Sequence, residues 1–128
     1  MRLESCTPLL NVASVERSLA FWRDLIGFEV IARFEQAGAL RWARLTAGDV
    51  SLMLNAPDKV LGKTRSIPES YTDAVLYFGV PSVRALYADL CAKDFDAPEP
   101  KANDYGVEEM LLRDPDGYEV AFTSPVGA

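Results

Sequence analysis

Hydrophobic and polar residues alternate over several short segments of this chain, the pattern of half-buried β-strands. Two other stretches repeat apolar residues at helical spacing, and each follows a serine suited to capping a helix, Ser14 or Ser82. In the clearest segment, residues 113–122, Pro115 and Gly117 favour a tight turn between two strands. Strands are predicted at residues 6–12, 28–34, 40–46, 50–55, 74–80, 107–113 and 118–123, with a further short strand or turn starting at Phe95.

This order of elements repeats at an offset of 68 residues. Val12-Ala13-Ser14-Val15 matches Val80-Pro81-Ser82-Val83, and Gly48-Asp49 matches Asp116-Gly117 (12 + 68 = 80, 48 + 68 = 116). We therefore expect one domain over residues 1–128, made of two βαβββ modules at about 5–56 and 73–124 with a connector at 57–72. The expected fold is α+β. Each helix packs on one sheet face, and the other faces form a curved, mostly antiparallel sheet around a cleft.

Composition excludes several classes of function. The formal net charge of −6 weighs against nucleic acid and anionic membranes as partners. The chain has no long apolar run and no signal-peptide pattern at its start, so we expect a cytoplasmic protein. The absence of histidine excludes imidazole bases and histidine-ligated metals. Cys6 and Cys91 are expected to be buried, reduced thiols.

Two motifs carry a family resemblance. Residues 11–22 with Leu25-Ile26-Gly27-Phe28, and residues 112–118 with their Asp-Pro-Asp-Gly turn, resemble the opening and closing motifs of the vicinal oxygen chelate superfamily. That superfamily contains the glyoxalases, bleomycin-resistance proteins and extradiol dioxygenases. The resemblance runs from about Thr7 to Thr123. It implies paired βαβββ modules and often a homodimer. In the enzymes it also implies a divalent metal held by four side chains, from the first and last strand of each module.

Those four positions fall here at Thr7, Met53, Val75 and Ala121. A divalent metal needs imidazole, carboxylate or thiolate donors. Val75 and Ala121 have no lone pairs, Thr7 is a neutral hydroxyl, and Met53 is a soft thioether suited to copper(I). A shift of one residue does not restore a site. We therefore expect no metal and no other cofactor, as in the bleomycin-resistance-like members of the family.

Strand parity predicts which side chains line the cleft. They are Thr7, Trp42, Arg44, Met53, Asn55, Val75, Tyr77, Glu109, Leu111, Glu119 and Ala121. A mostly apolar lining with a few polar groups is typical of a small-molecule pocket. Trp42 and Tyr77 could stack on a ring or a cation, for about 0.5–2 kcal/mol per contact. Trp42 could instead pack in the core or a dimer interface, and the two glutamates could pair with arginines.

The sequence thus predicts a metal-free protein that sequesters an aromatic or cationic compound such as an antibiotic, with no catalytic residue assigned. Three alternatives remain open. One is a metal-free enzyme using Glu109, Glu119 or Tyr77 as acid or base. Another is a glyoxalase-like lyase, isomerase or dioxygenase with an unrecognised site. The third is a non-catalytic interaction module whose cleft is filled by its own side chains.

Overall fold

A computed structural model describes residues 1–57 and 74–128. The predicted connector at 57–72 therefore lies, apart from residue 57, outside the described residues. The backbone groups into two compact units, one on each side of the undescribed stretch. Each unit is described by itself.

The first unit forms a four-stranded mixed sheet with one helix. It contains β1 (Leu9–Asn11), α1 (Val15–Leu19) continued by a π-helical segment (Ala20–Leu25), β2 (Glu29–Gln36), β3 (Ala39–Ala47) and β4 (Val50–Asn55). The strand order is β1-β4-β3-β2, with only β1 and β4 parallel. Strands β2 to β4 match their predicted ranges within two residues. The prediction for β1 was too long, since Pro8 has no N–H to donate to a ladder.

The helix of the first unit begins after Ser14, as the sequence predicts, and ends before Gly27. The Ser14 hydroxyl accepts a hydrogen bond from the Arg17 backbone N–H at 3.2 Å. Gly27, with φ of +103°, ends the helix. Trp22 is 0 % exposed and contacts Phe21 and Phe28 edge-to-face, at centroid distances of 5.1 and 5.6 Å. Trp22 therefore lies in the core of this unit.

The second unit has the same architecture. It contains β5 (Val75–Gly79), α2 (Val83–Ala92), β6 (Lys101–Ala102), β7 (Val107–Arg113) and β8 (Glu119–Pro125), in the sheet order β5-β8-β7-β6. Of the two alternatives predicted at Phe95, a short strand or a turn, the strand is not formed. Asp94 has a φ of +58°, and the Phe95 N–H donates to the Leu90 carbonyl at 3.0 Å. These residues therefore close the end of α2.

The repeat extends to individual hydrogen bonds. Val12 N–H donates to the Asn55 carbonyl and Val80 N–H to the Thr123 carbonyl, both at 2.9 Å (12 + 68 = 80, 55 + 68 = 123). The offset is not constant, however. Trp42 pairs with Asn55, but Glu109 pairs with Thr123, so β3 and β7 are related by 109 − 42 = 67 residues. The second hairpin therefore contains one more residue than the first.

Each helix covers one face of its own sheet. Buried side chains on the helix side are Ala43, Leu45, Leu52, Leu54, Met110, Leu112, Val120 and Phe122. Strand parity assigns all of these to the helix side, together with Leu76, Phe78 and Tyr118, which are half-buried. The described residues thus form an α+β fold with two four-stranded mixed sheets, and the predicted fold class is confirmed in that form. Neither described helix is long and apolar enough to cross a membrane.

Candidate ligand-binding faces

We call the side of each sheet turned away from its helix the distal face. In the first unit, strand register puts two rows of side chains across this face. One row is Asn11, Asn55, Trp42 and Phe34; the other is Leu9, Met53, Arg44 and Ala32. Four of the five site residues predicted in this half, Trp42, Arg44, Met53 and Asn55, therefore share one surface. The fifth, Thr7, precedes β1.

Two large apolar side chains on this face were missed by the sequence reasoning. Phe34 lies directly opposite Trp42 and is 56 % exposed, and Leu9 lies beside Met53 and is 45 % exposed. Side chains directly opposite each other on neighbouring strands have Cβ atoms about 5 Å apart. Phe34 and the half-buried Trp42 are therefore neighbours on this face, and we call this pair the aromatic surface. Most of its apolar area on the Phe34 side is open to solvent.

Two contacts between polar side chains lie on this face. The Asn55 side-chain Nδ2 donates to the Asn11 side-chain Oδ1 at 3.1 Å. Arg44 Nη2 lies 3.5 Å from Thr7 Oγ1, at the limit of a hydrogen bond. Because β4 separates β3 from β1, the Arg44 side chain must cross β4 to reach Thr7. Its guanidinium therefore lies over the sheet rather than beside it.

The distal face of the second unit carries an exposed tyrosine. Tyr77, Ala121 and Leu111 form one row, and Tyr77 is 55 % exposed. The Tyr77 hydroxyl is 3.4 Å from Glu109 Oε1, on the far side of β8. The tyrosine ring therefore passes over β8, where the small Ala121 leaves room for it. Ala121 itself is 0 % exposed and offers no surface to a ligand.

The remaining predicted residues of this half lie in the next row. Val75 pairs with Glu119, and Glu119 pairs with Arg113. Arg113 Nη2 is 2.6 Å from Glu119 Oε1, and the carboxylate side chain is 6 % exposed. Glu119 thus makes the ion pair with Arg113 that the sequence left open as its alternative role. Glu109 is half-buried beside Tyr77 and is the more accessible of the two predicted acids.

The residues at the family's metal positions do not fit a divalent metal. In the first unit, register sets Leu9 rather than Thr7 beside Met53; in the second, it sets Tyr77 beside Ala121. Neither pair offers an imidazole, carboxylate or thiolate. Within residues 1–57 and 74–128, no group of three or more Cys, Asp or Glu side chains is arranged to hold an ion.

The two cysteines differ from expectation. Both Cys6 and Cys91 are exposed, so the expectation of buried thiols was wrong. Cys6 precedes the shortened β1, and Cys91 lies on a solvent-facing side of α2. Neither lies on a strand, so neither belongs to the two rows of the first sheet or to the rows of the second.

Solved structures share this fold. TioX from Micromonospora sp. ML1 is 20% identical, with a TM-score of 0.74 over 96% of this chain and 100% of that one. TnmS3, an antibiotic binding protein from Streptomyces sp. CB03234, is 20% identical, with a TM-score of 0.69 over 98% and 99%. A lactoylglutathione lyase from Agrobacterium tumefaciens is 16% identical, with a TM-score of 0.69 over 96% and 95%. No curated protein matches the sequence.

The class of protein follows from these observations: it is a glyoxalase-like α+β protein. The model of the Glyoxalase/Bleomycin resistance protein/Dioxygenase superfamily matches residues 2–122, and the chain belongs to this superfamily. The similar structures include both a binding protein and a lyase. The fold therefore does not separate binding from catalysis, and the side chains must do so.

Proposed function

We propose that this protein binds and sequesters a small aromatic or cationic compound, such as an antibiotic, without a metal or another cofactor. The observation that carries the proposal is the set of aromatic side chains on the distal faces, Phe34, Trp42 and Tyr77, two of them more than half exposed. Exposed aromatic clusters with few polar groups are typical of ligand-contact surfaces. The antibiotic-binding TnmS3 shares the fold and supports the same class of ligand.

The side chains at the metal positions support the metal-free part of the proposal. An isomerase or dioxygenase of this superfamily would need donors where this chain has Thr7, Met53, Val75 and Ala121. Aliphatic and thioether groups cannot polarise a substrate carbonyl or activate a water. Met53 and Val75, which are half-buried, provide apolar contact area for a ligand ring.

Each aromatic group has a defined way to contact a ligand. Phe34 and Trp42 are cross-strand neighbours whose rings a planar ligand can contact. Tyr77 stands beside Glu109, and a ring face next to a carboxylate suits a cationic group. We place this binding in the cytoplasm, where the exposed thiols of Cys6 and Cys91 would stay reduced.

A ligand panel tests the proposal by thermal unfolding. Planar neutral, anionic and cationic compounds, bleomycin-type drugs among them, are added at increasing concentration. A ligand at 100 times its Kd stabilises the fold by about 2.7 kcal/mol, so binding raises the Tm. Phe34→Ala should weaken binding, because it removes half of the aromatic surface. Tyr105→Ala is the matched control, since its side chain projects from a turn and is 89 % exposed. A panel that leaves the Tm unchanged would overturn the proposal.

A second candidate function rests on the contact between Tyr77 and Glu109. A hydroxyl beside a carboxylate is a pair that could transfer a proton to a bound substrate without a metal. Glu109→Gln tests this candidate against simple binding. An enzyme would lose turnover in this variant and keep substrate affinity. A sequestering protein has no turnover to lose and would show only a change in affinity for cationic ligands.

We also propose that the protein is a homodimer, as its superfamily resemblance implies. Sedimentation equilibrium at micromolar concentration should then give a mass near twice the 14.1 kDa of one chain. A mass of one chain at all concentrations would contradict this. Ligand binding measured in parallel shows whether affinity depends on assembly.

A further inference from the structure

The guanidinium of Arg44 is the most unusual polar group on the distal face of the first sheet. Arg44 lies on the interior strand β3 and is half-buried, with its side chain crossing β4. Its polar contact is the 3.5 Å approach of Nη2 to Thr7 Oγ1. Among the residues that the structure describes, no carboxylate lies within ion-pair distance of Arg44. Guanidinium groups carry five donors, and a half-buried one favours an acceptor partner.

The surroundings of Arg44 reinforce this preference. Side chains two residues apart on a strand leave the backbone about 7 Å from each other on the same face. Trp42 and Arg44 are therefore neighbours on β3. Glu29, an acidic side chain on this face, lies on the edge strand β2 and is exposed. Water and salt screen exposed charges far more than half-buried ones. The local field at the aromatic surface is therefore dominated by the arginine.

Resting on the proposed function above, we propose that this face recognises a planar aromatic oxyanion, such as an aromatic carboxylate. The ring stacks on Phe34 and Trp42, and the oxygens accept hydrogen bonds from Arg44. A carboxylate matches the planar fork of a guanidinium and can accept two parallel hydrogen bonds from it. Displacing the weak contact to Thr7 costs little, so a bound oxyanion gains most of this interaction.

Three probes that share a naphthalene ring system and carry a charge of −1, 0 or +1 test the inference. They are 2-naphthoate, 2-naphthamide and 2-naphthylmethylammonium, titrated against the full chain by calorimetry. We expect the carboxylate to bind about tenfold more tightly than the amide, as is typical of a charge-assisted hydrogen bond. We expect the ammonium compound to bind no more tightly than the amide on this face.

Variants test whether Arg44 causes the preference for the carboxylate probe. Arg44→Gln removes the charge and should bring the affinity for 2-naphthoate down to that for 2-naphthamide. Arg44→Lys keeps the charge without the planar fork and should give an intermediate affinity. Arg33→Gln is the matched control. Arg33 pairs with Ala43, whose side chain is buried on the helix side, so this variant makes the same charge change off the distal face. Unliganded melting curves verify that all three variants fold.

The outcomes separate this inference from the proposed function. If the amide or ammonium probe binds as tightly as the carboxylate, the inference is wrong although small-molecule binding stands. The inference is also wrong if Arg44→Gln keeps the preference, or if Arg33→Gln loses it equally. Absence of binding by all three probes would count against both.

Discussion

Ala37 has a backbone conformation that side-chain-bearing residues rarely adopt. Its φ is +53°, and with Gly38 at +78° it forms the two-residue turn between β2 and β3. Turns with positive φ at both positions strongly favour Asn-Gly over Ala-Gly. Ala37→Asn should therefore stabilise the protein by about 1 kcal/mol, measured by urea unfolding. Ala37→Val, which places a β-branched residue there, should destabilise it. The same sign for both variants would contradict this interpretation.

Asp114 is a second residue with a defined structural role. Its side chain is buried, and Oδ1 accepts hydrogen bonds from the backbone N–H groups of Asp116 and Tyr118 at 3.0 and 2.9 Å. Asp114→Ala leaves both donors without this acceptor and should cost about 1–3 kcal/mol in urea unfolding. Asp114→Asn keeps an acceptor oxygen and should cost clearly less. Equal losses would mean that the charge, rather than the hydrogen bonds, stabilises the turn.

At the level of elements, strand positions could be predicted from alternation, but the register between β2 and β3 could not. In a regular antiparallel pair, the residue numbers of paired residues have a constant sum. Here the sum is 75 for Gln36 and Ala39, 76 for Phe34 and Trp42, and 75 again for Val30 and Leu45. Arg41 and Ile31 are thus extra residues in opposite strands, and their bulges compensate. Counting from the turn would pair Phe34 with Arg41 and assign Phe34 to the helix side. Parity fails at a bulge, so the exposed aromatic neighbour of Trp42 was missed.

The attachment of α2 to its sheet gives a prediction at the same scale. Arg84 Nε lies 2.7 Å from Glu108 Oε2, and the side chains are 53 % and 7 % exposed. The N–H is not aligned with that oxygen for a hydrogen bond, so the attraction is mainly Coulombic. Arg84→Met leaves a buried carboxylate unpaired and should cost about 1–2 kcal/mol, less than a fully buried pair because the arginine is half-exposed.

Adding Glu108→Met to Arg84→Met removes the unpaired charge, and the double variant should regain part of the lost stability. Urea unfolding of both singles and the double measures the coupling between them. Additive losses would show that the two side chains do not interact across the helix and the sheet.

For the whole molecule, the order of elements and the two cores could be predicted because periodicity reports burial directly. The second unit shows that periodicity does not predict which side chains pair. Glu109 and Glu119 lie on the same face by parity, yet Glu119 pairs with Arg113 at 2.6 Å and Glu109 meets Tyr77. Which side chains pair depends on how far each one extends across the neighbouring strands. The alternation of polar and apolar residues along the sequence does not give this information. The sequence therefore predicts the face of a residue but not its accessibility to a ligand.

The metal content of the purified protein tests the metal-free part of the proposed function. Protein purified without a tag should contain far less than one equivalent of zinc, nickel, manganese or iron per chain, since Thr7, Met53, Val75 and Ala121, the positions that the resemblance assigns to the donors, carry no imidazole, carboxylate or thiolate. Binding to the folded state alone stabilises a protein, so removal of a resident ion would lower the Tm. We expect EDTA to leave the Tm and the affinity for the best aromatic ligand unchanged. A stoichiometric ion whose removal abolishes ligand binding would require side chains outside the family's four positions, and the metal-free proposal would be wrong.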